Sequence, residues 1–159
     1  MRIKVPKGSF EIVQKRSVIL YTDPLGAGLA IGFINKTRQT FGLLAFLFPT
    51  RDFDLNLEEL TIYSGETLFV RFQDEIGKLG LPCEECHWIV AGASKFRNSP
   101  EFLNLGERNL KIAETWLKRI NVWERAIKKV GFNAPLSLSV LGGEGFFEVK
   151  FQNRVERYG

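Results

Sequence analysis

Two near-continuous apolar runs, residues 29–34 and 40–48, flank a short polar link, Asn35-Lys36-Thr37-Arg38-Gln39. A strand with one wet face alternates apolar and polar side chains, whereas an unbroken apolar run of this length reads as a strand buried on both faces. The link has the composition of a hairpin connection, and Pro49, which has no amide hydrogen to give a ladder, closes the second strand. Two further β-rich runs precede them, Phe10-Glu11-Ile12-Val13 and residues 17–21. Asp23-Pro24-Leu25-Gly26-Ala27-Gly28 then supplies a turn before Leu29.

Helical spacing takes over in the middle of the chain. Leu68, Phe69, Phe72, Ile76 and Leu79 form one apolar face, with Glu66, Arg71, Asp74, Glu75 and Lys78 mostly elsewhere and Gly80 as a stop. Trp88-Ile89-Val90-Ala91 reads as a short buried strand that ends in the small-residue turn Gly92-Ala93-Ser94. A second helix is expected over residues 107–120, with Leu110, Ala113, Trp116, Leu117 and Ile120 on its inner stripe. Strands are expected over 122–130, 137–141 and 146–151, the last two joined by Gly142-Gly143-Glu144-Gly145. Strands on either side of two main helices predict an α+β layered sandwich of mostly antiparallel or mixed sheet. A length of 159 residues without repeats or linker-like composition points to one domain, residues 1–159.

The charge pattern limits the partners. Twenty-two Lys and Arg against 18 Asp and Glu leave a net charge of +4, and the signs are interspersed. The densest basic stretch, residues 118–129, is interrupted by Glu124, so no phosphate-tracking tract is visible and nucleic acid is not the expected partner. The basic residues 1–7 are not followed by an apolar run of roughly 7–15 residues with a cleavage site, so no secretory signal is expected. Residues 41–49, the longest strongly apolar stretch, fall well short of a membrane span. The expectation is a cytoplasmic protein without membrane insertion, its two Cys reduced.

Three segments together resemble the chemoreceptor glutamine deamidase (CheD) family of bacterial and archaeal chemotaxis. They are Thr22-x-x-Leu25-Gly26-Ala27-Gly28, then Ile89-Val90-Ala91-Gly92-Ala93-Ser94-Lys95-Phe96, similar to the family's "GGAS" strand end, and Asn104-Leu105-Gly106-Glu107-Arg108-Asn109, similar to its helix-opening "IGxRN". Val130-Gly131-Phe132-Asn133 is similar to the family's "GGN" turn. The resemblance covers most of residues 10–151 and implies a CheD-like fold. It also implies a chemistry: hydrolysis of receptor glutamine amides by a Cys nucleophile and a His base, with a Thr that orients the pair. An amide carbon is a poor electrophile, so the attacking sulfur must be a thiolate, and the imidazole that lowers its pKa later protonates the leaving amine.

At the positions that would carry this chemistry the sequence departs from the family. Gly28 stands where the resemblance places the nucleophile and Ala45 where it places the His, at the family's spacing; Thr22 alone is kept. The expected family pocket, around Leu25, Gly26, Ala27, Gly92, Ala93 and Ser94, therefore has no catalytic side chain. The resemblance then implies a non-catalytic relative, needing no cofactor, that binds a protein partner: a chemoreceptor or the CheC-type phosphatase with which the family pairs.

Cys83, Cys86 and His87 are the only Cys and His of the chain, in the string Cys83-Glu84-Glu85-Cys86-His87. The string matches the Cys-x-x-Cys-His attachment pattern of c-type haem. Attachment, however, belongs outside the cytoplasm, and the only Met that could supply a second axial ligand is Met1. A zinc half-site, a reversible disulfide, simple packing, and a relocated Cys86–His87 catalyst remain open readings of the same residues. A reading from another class takes Arg119, Arg125, Lys128 and Lys129, with Trp116 and Trp123, as a contact surface for nucleic acid or an acidic protein; a solvated face explains the charges more cheaply.

Overall fold

The two apolar runs form the centre of the molecule. In the computed structural model, which describes residues 1–57, 60–95 and 100–159, they are β4 (Leu29–Asn35) and β5 (Thr40–Phe46), and every residue of both strands is buried. They are joined by a turn at residues 36–39 and flanked by β2 (Ser9–Gln14) on one side and β8 (His87–Gly92) on the other, with β9 (Ile127–Val130) beyond β8. The order β2-β5-β4-β8-β9 is antiparallel except for the parallel pair of β8 and β9.

One face of this central sheet carries α1 (Gly65–Lys78) and α2 (Pro100–Arg119); the other packs on a second five-stranded sheet. That sheet is ordered β1 (Arg2–Lys4), β3 (Ile19–Tyr21), β10 (Ser137–Leu141), β11 (Phe146–Lys150) and β12 (Val155–Tyr158), with only β1 and β3 parallel. A small hairpin, β6 (Leu55–Leu57) with β7 (Leu60–Ile62), completes the elements described. The architecture is the expected α+β layered sandwich. Among the described residues no helix is long and apolar enough to cross a membrane.

Strand parity assigns each side chain of the central sheet to one of two cores, because successive residues point to opposite faces. Leu29, Ile31 and Phe33 of β4, Leu44 and Phe46 of β5, and Trp88 and Val90 of β8 meet the helices. Ala30 and Ile34, Leu43 and Ala45, and Ile89 and Ala91 meet the second sheet. The helix side is filled with aromatic rings. Phe69 of α1 stacks on Trp116 of α2 with centroids 4.8 Å apart, and the Trp116 indole donates to Gln73 Oε1 at 2.9 Å. Burial of one such side chain is worth roughly 1.5–3 kcal/mol, so this contact locks the two helices together. At the start of α1, Ser64 Oγ accepts from Thr67 N, and Asp54 accepts from both Ser64 N and Thr67 Oγ1.

Several expected boundaries move. The helix foreseen over 107–120 begins seven residues earlier, at Pro100, and runs through Gly106, since a glycine costs a helix interior only about 1 kcal/mol relative to Ala. The strand foreseen over 122–130 is only β9, residues 127–130; Val122 and Ala126 instead join the helix-side core through turns. β5 ends at Phe46 rather than Phe48, and β3 starts at Ile19 rather than Ser17. The edge strands β1 and β12 carry no apolar run that would have announced them.

Candidate functional site

At one end of the sandwich the turn before β4, the turn after β8, the end of β5 and the middle of α2 meet. The β8 turn takes a conformation that few side chains accept, with Gly92 at φ 112° and Ala93 at φ 49°. A Cβ on Gly92 would run into the Gly28 carbonyl. This close approach lets Ala93 N donate to Gly28 O and Ser94 N to Gly26 O, both at 2.8 Å. Ser94 Oγ donates to Leu25 O at 3.3 Å or to Ala134 O at 3.0 Å. From the helix, Asn109 Nδ2 donates to Ala27 O at 2.9 Å and to Leu47 O at 2.8 Å. All four carbonyls of residues 25–28 are thereby tied to other elements.

The six residues expected to frame a pocket do come together here, and Leu25, Ala27, Ala93 and Ser94 are each no more than 4% exposed. Phe96, the last residue of the second motif, lies outside the described residues. Gly28 is buried, and a Cβ built on it would lie 3.0 Å from Phe46 O and 3.4 Å from the Lys7 stem, which covers it. Ala45 is fully buried and faces the sheet-to-sheet core, cross-strand from Ala30, which pairs in turn with Ala91. Thr22 is 3% exposed, and its hydroxyl accepts from Leu138 N at 3.1 Å, so it continues the β3–β10 ladder.

The chemistry open to this end follows from those contacts. Neither Gly28 nor Ala45 brings a nucleophile or a base. The amide hydrogens of Ala93 and Ser94 are committed to carbonyls and are not free to steady an oxyanion. Asn109, which sequence reasoning did not single out, is the side chain that joins the motif on α2 to the turn at 25–28. It is fully buried, and its Oδ1 has no donor among the described residues. A signal for it existed: Asn109 sits four residues before Ala113 on the inner stripe of α2, where a polar residue needs buried partners.

Cys86 and His87 lie at the far end of β8, where His87 pairs with Ile34 while Gly92 pairs with Leu29. Five residues of strand place them about 17 Å from the Gly92 turn. Cys86 is 3% exposed, its thiol donating to Pro82 O at 3.5 Å and accepting from Asn35 Nδ2 at 3.7 Å. Burial pushes this thiol up to about 11, and burial, with the Glu84 charge beside it, also raises Cys83. Both are free thiols, Cys83 O is the acceptor for the Trp88 indole and for Arg125, and His87 is exposed. Among the described residues no three His, Cys, Asp or Glu side chains are grouped to hold a metal ion.

The basic stretch disperses in the same way. Trp116 is core, Lys129 pairs with Glu156 at 3.5 Å, Lys128 lies over the Trp123 ring at 4.7 Å, and Arg125 is turned to Cys83 O. No protein-family model and no curated protein matches this chain.

Proposed function

We propose that the chain is a non-catalytic protein of CheD-like build that acts by binding another protein, either the signalling helices of a chemoreceptor or a CheC-type phosphatase. The observation that carries this reading is the closed end of the sandwich. Its motif residues are spent on holding two turns, a strand end and a helix together, while the positions corresponding to nucleophile and base are a buried Gly28 and a buried Ala45. Residues retained for shape where the reactive groups are absent fit action by occupancy, in which a rigid surface is the functional property. Smaller apolar residues in a dry site also avoid the cost of burying a thiolate and an imidazole.

Two other readings receive less support. A catalyst rebuilt from Cys86 and His87 would need a thiolate at neutral pH, and the Cys86 thiol is shifted in the opposite direction, to about 11. A nucleic-acid surface built around residues 116–129 would have to use Trp116, whose ring is stacked in the helix-side core. The partner assignment is tested by calorimetric titration of a receptor cytoplasmic fragment and, separately, of a CheC-type phosphatase into this protein. Saturable 1:1 binding of either supports it; heat of dilution alone with both removes it.

A further inference from the structure

The opposite end of the sandwich is open. Three loops meet there: the β2–β3 link with Lys15, Arg16 and Ser17, the β4–β5 turn with Lys36 and Gln39, and the β10–β11 turn Gly142-Gly143-Glu144-Gly145. They line a cavity of about 430 Å³ whose wall on the core side is Phe41. Lys15, Arg16 and Lys36 are exposed, and none of them forms an ion pair with an Asp or Glu among the described residues. Lys36 Nζ donates to Gly159 O at 3.4 Å and Arg16 Nη2 to Met1 Sδ at 3.6 Å, contacts that leave both charges unneutralised by an acidic side chain. Glu144 is the one acid in the lining. Three basic residues, from two loops separate in sequence, thus line one concave space with a single acid.

The backbone of this end is held in costly shapes. Lys15 and Gln39 are both non-glycine residues at positive φ, 52° and 50°, and Lys15 N donates to Gln39 O at 2.8 Å. Strain of this kind persists only where surrounding contacts impose it, and it concentrates at binding sites. The glycine turn approaches its neighbours so closely that a Cβ on Gly142 would enter the Phe41 ring and one on Gly143 would lie 2.7 Å from Ser17 Oγ. Glu144 N and Gly145 N turn back to Leu141 O, whereas the Gly142 and Gly143 amide hydrogens have no acceptor within the chain among the described residues. Free amide hydrogens on a bare glycine turn, a hydroxyl, and three cations are the donor set that recognises a phosphate group.

We propose that the cavity between these three loops binds the phosphate of a small phosphorylated metabolite. Lys15, Arg16 and Lys36 supply the charge; Ser17 Oγ and the Gly142 and Gly143 amides supply directional hydrogen bonds. A volume of about 430 Å³ is in the range of small-ligand sites and large enough for a mononucleotide. A single concave focus of charge favours a small ligand over a polymer, which requires a continuous basic track.

The test is calorimetric titration of the full chain with sodium pyrophosphate and with adenosine 5′-monophosphate at low ionic strength. The wild type should bind pyrophosphate saturably at one site, and adenosine monophosphate binding would extend the assignment to a nucleoside phosphate. The paired changes Arg16→Gln and Lys36→Gln, at exposed positions, should weaken that binding at least about tenfold with the far-ultraviolet spectrum unchanged. Lys118→Gln, on the outer face of α2, should leave it unaltered. The proposal is overturned if neither probe binds saturably, or if Lys118→Gln weakens binding as much as the loop pair does. It is equally overturned if duplex DNA or anionic phospholipid vesicles bind these loops more tightly than either small probe.

Discussion

The two ends of the sandwich are built from the same strands yet finished in opposite ways. At the Gly92 end, donors and acceptors meet each other: Ala93 and Ser94 amides on Gly28 and Gly26 carbonyls, Asn109 on Ala27 and Leu47. At the Lys36 end, the Gly142 and Gly143 amides have no acceptor among the described residues, and exposed cationic side chains line a cavity. A loop cluster whose polar groups are mutually satisfied is stable and chemically quiet; one whose groups are unspent is available to a ligand. The turns at residues 25–28 and 92–94 and Asn109 all lie at the first end, where they hold the fold together.

The sharpest way to break this contrast is to put chemistry back into the closed end. Ala45→His would place an imidazole in the dry core between the sheets, and we expect it to lower unfolding stability in urea by about 3 kcal/mol or more. A loss below about 1 kcal/mol would mean that the end is more open than its contacts indicate. Gly92→Ala should cost about as much, since φ 112° and the Gly28 carbonyl both oppose a side chain there.

Asn109→Ala tests the strut from the helix. It strands the carbonyls of Ala27 and Leu47 but also removes an unpaired Oδ1, so a net loss of about 2 kcal/mol is expected from urea melts. Hydrogen exchange should accelerate first in residues 25–28 and 46–48.

Cys86 separates burial from reactivity. Its thiol, raised from 9.0 to about 11 by burial, binds its proton more tightly in the folded chain than in the unfolded one. The resulting stabilisation is complete below about pH 9 and is lost as pH rises through about 11. Alkylation of native Cys86 should be slow at pH 7 and climb until about pH 11, the Cys83→Ser variant isolating its signal. A plateau near pH 8 would restore Cys86 as a candidate nucleophile. The smallest effect belongs to the open end: Lys36→Gln should change stability by less than about 0.5 kcal/mol, because an exposed cation whose one contact is a long hydrogen bond to Gly159 O contributes little to folding.

How much of this was legible beforehand depends on how local each signal is. β4 and β5 could be read from their unbroken apolar runs, and α1 from one stripe ended by Gly80, because burial on known faces leaves a periodic trace. The expected start of α2 falls late because a glycine inside a helix, here Gly106, weakens the helical pattern. Val122 and Trp123 read as strand because their burial comes from the helix-side core rather than from a ladder. At the site, the turn at 25–28 and the turn at 92–94 were recognisable as motifs, but Asn109's double hydrogen bond is a relation between segments some 60 to 80 residues apart in sequence. The basic cavity was invisible for the same reason: Lys15-Arg16 and Lys36 make no run, and only the meeting of two loops gathers them.

The central claim is that the end bearing the deamidase-like motifs performs no amide hydrolysis. Intact-mass spectrometry of a chemoreceptor cytoplasmic fragment, incubated with this protein and in parallel with a catalytically complete deamidase, tests it most directly. Each glutamine converted to glutamate adds about one dalton, because an amide becomes an acid. The account predicts a mass gain with the complete enzyme and none with this chain. A gain with this chain that persists in a Cys86→Ser variant would contradict the closed-end account, and one abolished by that change would move the catalyst to the other end of β8.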